Sequence, residues 1–248
     1  MKLKEILSNI EINEWIECFL RGTSNIKEWF EDWFNKAKED YKTKKTGFPI
    51  FLNENGEQII EKSITFELIS KKYLNRDPKG LKKEEFISIC KWKTPRPEKK
   101  YEANSEELIR EITQEVINLT NKKEQMHILI NGIKVNKKKK KLKGVGVAVA
   151  SAILTIIFPE KFCVIDYRAK RALCLLKIKG ESKPYNTISF VSYRDYLSSY
   201  QLVKNTSAID LYFKYLEIIR GICKIIGPDI TPRMLEVALW KYDKTEDS

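Results

Sequence analysis

The chain has 248 residues, of which 42% are hydrophobic, and a net charge of +12, so it can bury a substantial core and favours a polyanionic partner such as nucleic acid. Its longest uncharged apolar run, residues 145–158, has fourteen residues, fewer than the roughly 20 that a membrane-spanning helix needs. Five scattered cysteines without a C-x-x-C pair argue against a disulfide framework or an iron–sulfur cluster, and the single histidine, His127, argues against histidine metal sites and histidine-activated nucleophiles.

The first part of the chain has a helical pattern. Its first fifteen residues place acids within the apolar pattern and lack a small-residue cleavage site, so they do not resemble a signal peptide, and we expect a cytoplasmic protein. From Lys4 to Tyr41, apolar and aromatic residues recur at helical spacing. This predicts two helices broken near RGTSN, with Thr23 or Ser24 as the N-cap of the second and the aromatic side chains in the core.

The next sixty residues are less regular. Asn55-Gly56 predicts the turn of a β-hairpin, and residues 77–92 predict a short helix behind a turn. The Pro- and Lys-rich residues 93–104 indicate a connector, and we place a lobe boundary there, near Ala103. The predicted parts are an N-terminal helical lobe with an irregular insert (residues 1–103), a second lobe (104–178), and C-terminal helices that pack back on the first lobe (179–248).

The second lobe is predicted to begin with two helices. One starts at Asn104 or Ser105 with acids in its first turn, and the other runs from about Lys122 to Ile133. The apolar run after them is long and rich in small residues, which favours a buried helix over a strand. Residues Leu142–Gly146, LKGVG, would then form a tight turn between two helices, with glycine wherever the backbone needs a positive φ.

The C-terminal part is also predicted to be helical. A polar loop at residues 180–189 leads to an aromatic-rich helix at 191–200 and to a long amphipathic helix at about 207–226, which Gly227-Pro228 ends. The last helix has Thr231 as its N-cap and Pro232 at its first position. The sequence as a whole therefore predicts an all-α protein.

A glycine turn at the start of a helix has a chemical consequence. The first N–H groups of the helix have no partner within it and lie at the positive end of its dipole, which favours phosphate binding. Taken separately, the turn is also compatible with an ordinary helix connection, and the lysines with a solvated loop or lysine-rich coding. Their coincidence favours a phosphate site with salt-dependent binding, because seven lysines lie within ten residues here: Lys134, Lys137 to Lys141, and Lys143.

These residues resemble the helix-hairpin-helix DNA glycosylase superfamily. The motif L-K-G-V-G, the small-residue helix and FPEKFCVIDYRAKRAL are similar to the superfamily's hairpin, Ala-rich helix and aspartate before a further helix, over Ser105 to Leu176. Bifunctional members carry a lysine two residues after the second hairpin glycine and the aspartate eighteen residues later. In this sequence Ala148 and Asp166 stand at those two positions, and Lys143 replaces the usual hairpin proline.

The resemblance implies a two-lobed, all-α fold in which residues 104–178 form the helix-hairpin-helix lobe. Asp166 would be the catalytic carboxylate. Ala148 at the lysine position implies a monofunctional glycosylase that leaves an abasic site, or a branch that binds DNA without excising a base. No iron–sulfur cluster is expected, and hairpin carbonyls could hold a monovalent cation. The hairpin would bind the DNA backbone through Lys141, Lys143, Gly144, Val145 and Gly146.

A carboxylate suits this chemistry on physical grounds. Breaking an N-glycosidic bond develops positive charge on the sugar, as in glycoside hydrolysis. A partly desolvated carboxylate stabilises that charge and can orient or deprotonate the attacking water. The target base must also leave the helix stack and enter a pocket. Asp166 is equally suited to cap the helix that begins at YRAKRALCLL, and the two roles are compatible.

Other residues are weaker candidates. Arg168 and Arg171 lie within about a turn of Asp166 and are candidates for phosphate contacts or for surface salt bridges. Core packing is the simpler explanation for three aromatic residues that are also candidates for stacking on an extruded base, namely Trp92, Tyr167 and Trp240. The expected partner is double-stranded DNA, bound by a monomer without a membrane association. The competing hypotheses are a non-catalytic helix-hairpin-helix protein that binds DNA or senses its structure, and a helical protein-interaction module.

Overall fold

The computed structural model describes residues 9–43, 50–52, 58–60, 65–135, 138–180 and 208–246. These ranges are mostly helical, as predicted, and contain two short antiparallel ribbons. The helices are α1 (Asn9–Thr23), α2 (Ile26–Thr43), α3 (Glu67–Asn75), α4 (Lys83–Lys93), α5 (Glu98–Glu102), α6 (Glu106–Asn118), α7 (Lys122–Asn131), α8 (Val147–Ile157), α9 (Tyr167–Gly180), α10 (Ala208–Ile226) and α11 (Pro232–Glu246). The strands are β1 (Ile50–Leu52), β2 (Gln58–Ile60), β3 (Ile133–Val135) and β4 (Lys138–Lys140).

The two predicted N-terminal helices are confirmed as α1 and α2, but the second has a different cap. Asn25, rather than Thr23 or Ser24, accepts the N–H groups of Lys27 and Glu28 through its side chain, at 3.2 and 3.4 Å. The expectation that the aromatic residues fill the core is confirmed for Phe19, Phe30 and Phe34, which are buried. Strands β1 and β2 pair antiparallel, and the predicted turn at residues 55–56 lies outside the described residues.

The segment predicted as a connector, residues 93–104, contains the short helix α5 and is packed against the rest of the chain. Tyr101 is fully buried, and Asn104 is also buried. Ser105 rather than Asn104 is the N-cap of α6, because its Oγ accepts the N–H of Leu108 at 3.3 Å. The division into lobes stays a prediction, whereas this segment is a structural element rather than a free linker.

The predicted helix from about Lys122 to Ile133 is confirmed as α7, but the expectation that LKGVG is a turn between two helices is wrong on its N-terminal side. The helix ends at Asn131, Gly132 adopts a φ of +79°, and the ribbon β3–β4 follows, with Ile133 opposite Lys140. A Cβ at Gly132 would lie 1.8 Å from the carbonyl oxygen of Lys140, so only glycine allows the ribbon to fold back this closely. A basic β-ribbon thus stands where a simple turn between helices was expected.

The apolar run forms α8 and is buried, as predicted. Residues 149–157 are all buried, and the helix packs against α3, α4 and α7. Two hydroxyls satisfy polar groups around it. Ser70 donates to the carbonyl of Ile157 at 2.7 Å, and Ser151 both donates to the carbonyl of Ala148 and accepts the N–H of Ile165, at 2.8 and 3.1 Å. The Ser151 contact ties the segment before Asp166 to the helix that follows the glycine turn.

The C-terminal helices pack against the N-terminal ones. Helix α9 packs against α1 and α11, α10 packs against α1, and α11 packs against α2. The last helix begins at Pro232, and Thr231 Oγ1 accepts the N–H of Met234 at 3.3 Å, which confirms the predicted cap. The aromatic-rich helix predicted at residues 191–200 lies outside the described residues. Within the described ranges, every helix is too short or too polar to cross a membrane.

Candidate active site

Asp166 is the N-cap of α9. Its Oδ1 accepts the N–H of Arg168 at 2.9 Å, and its backbone carbonyl accepts the N–H of Lys170 at 3.1 Å, the first hydrogen bond of the helix. Residues 162–165, which belong to no helix or strand, lead from α8 to this position and are mostly buried. The helix-capping interpretation of Asp166 is therefore correct, and one carboxylate oxygen is left for another partner.

That partner is Lys93, the last residue of α4. Its Nζ lies 2.7 Å from Asp166 Oδ2, and the side chains are only 10% and 28% exposed, respectively. The two residues are 73 positions apart, and Lys93 stands in a lysine-rich segment that gives it no distinguishing pattern. Lys93 is therefore not recognisable as a site residue from the sequence, because its role depends on where α4 ends relative to the start of α9.

The surroundings of Asp166 favour its charged form. Burial raises the pKa of this carboxyl, but the Lys93 ammonium and the N–H and positive charge of Arg168 outweigh burial, and the pKa lies below its ordinary value. Asp166 is therefore ionised at neutral pH while it keeps an accessible edge. A group in this state can stabilise positive charge or polarise a water molecule, and it is a poor proton donor.

A second ion pair is buried near the first. Arg233 and Glu236, on the first two turns of α11, are hydrogen-bonded and each only 4% exposed. Burial raises the pKa of Glu236, the Arg233 charge lowers it, and the negative charge of Asp166 raises it, with a raised net value. We call the four residues Lys93, Asp166, Arg233 and Glu236 the charge cluster.

Trp92, one of the candidate base-stacking residues, packs beside the charge cluster. Its ring meets Phe66 edge-on at 5.7 Å, and the Arg233 guanidinium lies 4.5 Å from the Phe66 ring and 5.8 Å from the Trp92 ring. Trp92 is partly buried against the core. Trp92 precedes Lys93 in the sequence and therefore lies at the same end of α4, near Asp166. A role in stacking on a base stays a prediction.

The other two aromatic candidates differ in exposure. Tyr167 directly follows Asp166, is 51% exposed, and has the Arg171 guanidinium 5.6 Å from its ring centroid. Trp240 is partly buried on α11, and Lys244 Nζ lies 4.9 Å from its ring. Tyr167 is therefore an exposed aromatic surface at the start of α9, whereas Trp240 contributes to the core.

Arg168 and Arg171 both contact Asp243 of α11. Arg171 donates through Nε and Nη2 at 2.5 and 2.9 Å, and Arg168 donates through Nη1 at 3.4 Å. The Asp243 side chain is fully buried, whereas the Arg168 side chain is 37% exposed. These contacts match the salt-bridge alternative, and phosphate binding by either arginine stays a prediction.

The glycine turn is fixed by close packing on α5. Gly144 adopts a φ of +83°, and a Cβ there would lie 2.7 Å from the ring of Tyr101. Leu142 and Val145 on either side are buried and anchor the turn in the core. The requirement for glycine at residue 144 is thus both conformational and steric.

Asn104 holds the turn through its side-chain amide. Its Oδ1 accepts the N–H of Lys143 at 2.7 Å, and its Nδ2 donates to the carbonyls of Lys143, Lys100 and Tyr101 at 3.2, 3.0 and 2.9 Å. From the sequence, Asn104 was a candidate only for the cap of α6. This buried asparagine accepts through its amide oxygen and donates through its amide nitrogen, and it thereby links α5 to the turn by hydrogen bonds.

The start of α8 is open. Gly146 is its exposed N-cap, makes no side-chain cap, and has extended backbone with a φ of −109°. A Cβ at this position would meet nothing within 4 Å, so there is free surface above the first turn of the helix. Five of the seven lysines around the turn in the sequence are exposed, namely Lys134, Lys138, Lys139, Lys141 and Lys143, and their contact with phosphate stays a prediction. Lys140 instead contacts Glu111 at 2.9 Å, and residue 137 lies outside the described residues.

Tyr101 connects the turn to the charge cluster. Its ring packs under Gly144, and its hydroxyl donates to the carbonyl of Thr94 at 3.0 Å, one residue after Lys93. Residues 93–104 therefore carry both the partner of Asp166 and the support of the glycine turn. The two features that the sequence analysis associated only by spacing share one packed segment.

No group of three or more His, Cys, Asp or Glu side chains in the described part of the chain is arranged to hold a metal ion. The monovalent cation at the hairpin stays a prediction. Comparison with protein-family models, curated proteins and solved structures finds no match. The resemblance to the helix-hairpin-helix glycosylases therefore rests on the residues of the turn, the apolar helix and the Asp166 segment.

Proposed function

We propose that this protein binds double-stranded DNA and acts as a DNA glycosylase, hydrolysing the N-glycosidic bond of a damaged or modified base and leaving an abasic site. The observation that carries this proposal is the state of Asp166, an ionised carboxylate with a 28% exposed side chain, fixed by Lys93 and by the helix it caps. A fixed, partly desolvated negative charge is what a developing oxocarbenium ion requires.

The reaction would use Asp166 in two ways. Its charge would stabilise the sugar as the bond to the base breaks, and its accessible oxygen edge would orient the attacking water. The N-cap bond from Arg168 and the Lys93 contact hold the carboxylate in one orientation, so it does not reorganise as positive charge develops. Tyr167, exposed beside it, offers an aromatic face to an extruded base.

DNA would be held at the glycine turn. The open N-terminus of α8 at Gly146, together with the exposed Lys141 and Lys143, presents backbone N–H groups and positive charge to a phosphate. Because Tyr101 contacts both this turn and the end of α4, a phosphate bound here would have a defined distance from Asp166. This arrangement supports the backbone contact that base extrusion requires.

The same contacts also support a second candidate function, a non-catalytic DNA-binding protein. Both oxygens of Asp166 already have protein partners, Lys93 and the Arg168 N–H, so the residue has a structural role that does not need catalysis. This alternative keeps the phosphate-binding turn and predicts duplex binding without base release.

The test is a screen for released bases. Duplexes that carry oxidised, alkylated or hypermodified bases are incubated with the protein, released bases are identified by mass spectrometry, and abasic sites are cleaved with alkali. Asp166→Asn should lower base release roughly 10²–10⁴-fold, because it removes the charge but retains a good N-cap. Asp229→Asn, at an exposed position between α10 and α11, is the matched control and should retain full activity.

The two candidates predict different outcomes for the same variant. If Asp166→Asn retains full base release, or if no substrate yields an abasic site while duplexes bind in a salt-sensitive manner, the glycosylase proposal is wrong and the DNA-binding alternative stands. If binding does not respond to salt concentration, both DNA hypotheses are wrong.

A further inference from the structure

The ribbon β3–β4 has two faces that differ in what they contact. In an antiparallel ribbon, residues directly opposite each other share a face, and the next pair along lies on the other face. Ile133 opposite Lys140 therefore lies on one face, and Lys134 opposite Lys139 lies on the other, which we call the outer face. The first face is attached to the protein, because Ile133 packs against the core and Lys140 Nζ lies 2.9 Å from Glu111 Oε2.

The outer face places two like charges opposite each other. Side chains that are directly opposite in an antiparallel pair have Cβ atoms about 4.5–5.5 Å apart, and like charges at that separation destabilise the pair. Lys134 and Lys139 are both exposed, and no carboxylate in the described part of the chain pairs with either of them, whereas Lys140 has Glu111. A polyanion that lies across the outer face would remove this repulsion.

The ribbon is held in a fixed position beside the glycine turn. A Cβ at Gly132 would lie 1.8 Å from the Lys140 carbonyl oxygen and 2.8 Å from the Lys141 Cα, so the backbones meet closely at the base of the ribbon. Strand β4 ends at Lys140, and the turn begins two residues later at Leu142, which is fully buried. A ligand that bound both the ribbon and the turn would therefore not have to order a flexible linker between them.

We propose that Lys134 and Lys139 on the outer face bind the backbone of duplex DNA, at a phosphate other than the one that the glycine turn holds. The identity of the polyanion rests on the proposed function, because charge alone would suit any polyanion. The ribbon then adds a second contact with the DNA, and it uses no residue of the turn or of the charge cluster.

The first test removes the two charges in the full-length protein. Binding of a fluorescently labelled duplex is followed by anisotropy at several salt concentrations. The double variant Lys134→Gln/Lys139→Gln should reduce the slope of log Kd against log salt by about two units, one for each lysine that contacts a phosphate. The matched control is Lys27→Gln/Lys71→Gln, which removes the same charge at exposed positions on α2 and α3 and should leave the slope unchanged.

A charge reversal separates DNA binding from the stability of the ribbon. Lys134→Glu places opposite charges across the ribbon, so amide hydrogen exchange in β3 and β4 should slow by about twofold or more. Duplex binding should nevertheless weaken by about tenfold or more, because one phosphate contact is replaced by repulsion. Lys27→Glu makes the same change in net charge at an exposed position and is the control. If the outer lysines only protect the ribbon from pairing with another strand, the two variants should bind the duplex equally.

The outcomes separate this inference from the proposed function. A reduced slope confined to the ribbon variants, with losses that add in log Kd to that of Lys143→Gln, supports a second phosphate contact. Losses no greater than those of the controls, or losses that do not add to that of Lys143→Gln, overturn it even if base release is intact. A ribbon effect on heparin binding without one on duplex binding also overturns it, because the partner is then another polyanion. Absence of duplex binding by the parent protein overturns both proposals.

Discussion

The glycine turn at Leu142–Gly146, which precedes α8 in the sequence, and the charge cluster around Asp166, which follows it, depend on different kinds of information. The turn is built from adjacent residues whose backbone conformations require it, with Gly144 at a φ of +83° and two buried apolar neighbours. The charge cluster is assembled from α4, α9 and α11, whose residues are distant in the sequence. A local motif can therefore be recognised from the sequence. The ionisation of a carboxylate instead depends on which charged and hydrogen-bonding groups pack against it in the folded protein.

The largest expected effect is a loss of stability on substitution of Gly144 in the turn. Gly144→Ala should reduce the free energy of unfolding by about 2–4 kcal/mol, because it imposes a positive φ on alanine and places a Cβ against Tyr101. Gly146→Ala is the matched control and should change stability by less than about 1 kcal/mol, since its Cβ meets nothing. Denaturant unfolding measures both. Equal losses in the two variants would show that the turn is not held by this packing.

The next largest effect is a loss of stability on substitution of Lys93, which tests the charge cluster rather than the turn. Lys93→Met should reduce the free energy of unfolding at neutral pH by about 1–3 kcal/mol, because Asp166 stays largely buried without its cation. The pKa of Asp166 should rise in this variant, since burial then acts with less opposition from positive charge. NMR titration of the Asp166 carboxyl measures the shift directly.

The pH dependence follows from the sign of that shift. The folded-state pKa of Asp166 lies below its ordinary value of 3.8, so the pair stabilises the fold above that value, and this contribution is lost as the pH falls through the folded-state pKa. The difference in stability between the parent protein and Lys93→Met should therefore shrink in acid. A difference that is constant from neutral pH down to the acid range would indicate lost packing rather than a lost ion pair.

The smallest expected effect is a change in the salt dependence of DNA binding on substitution of the lysines beside the turn. Replacing Lys141 or Lys143 with Gln should reduce the salt dependence of duplex binding by about one unit of slope in log Kd against log salt for each lysine that contacts a phosphate. Stability should change little, because both side chains are exposed. Lys27→Gln, an exposed lysine on α2, is the control and should leave the slope unchanged. An equal reduction in all three variants would mean that charge acts only through the net total.

Several features of the fold could be predicted because they depend on local patterns. The helices α1, α2, α6, α8, α10 and α11 follow from apolar periodicity and from caps such as Ser105 and Thr231, whose side chains accept the first N–H groups. The burial of α8 follows from its uninterrupted apolar composition. The ribbon β3–β4 was missed because its strands are only three residues long, and one of them, Lys138–Lys140, is entirely lysine and has no alternating apolar pattern.

The candidate site was predicted only in part, because only some of its residues are related by local sequence patterns. Asp166 was identified because its distance from the turn is a property of the sequence. Lys93 and Asn104 were missed because each lies within a Pro- and Lys-rich segment that has the composition of a linker. Their contacts, to Asp166 and to the backbone of Lys143, span 73 and 39 residues, and such pairings leave no periodic signal.

Local patterns in the residues predict a basic, mostly helical chain in which a glycine turn precedes a buried helix and an aspartate stands at the start of the next helix. These properties arise from backbone stereochemistry, helix periodicity and capping, which act over a few residues. The contact of Lys93 with Asp166, which lowers the pKa of Asp166, and the connection of this pair to the turn through Tyr101 arise from the packing of distant helices. Electrostatic interactions act through space, so the chemistry of Asp166 depends on contacts that the order of the residues does not specify.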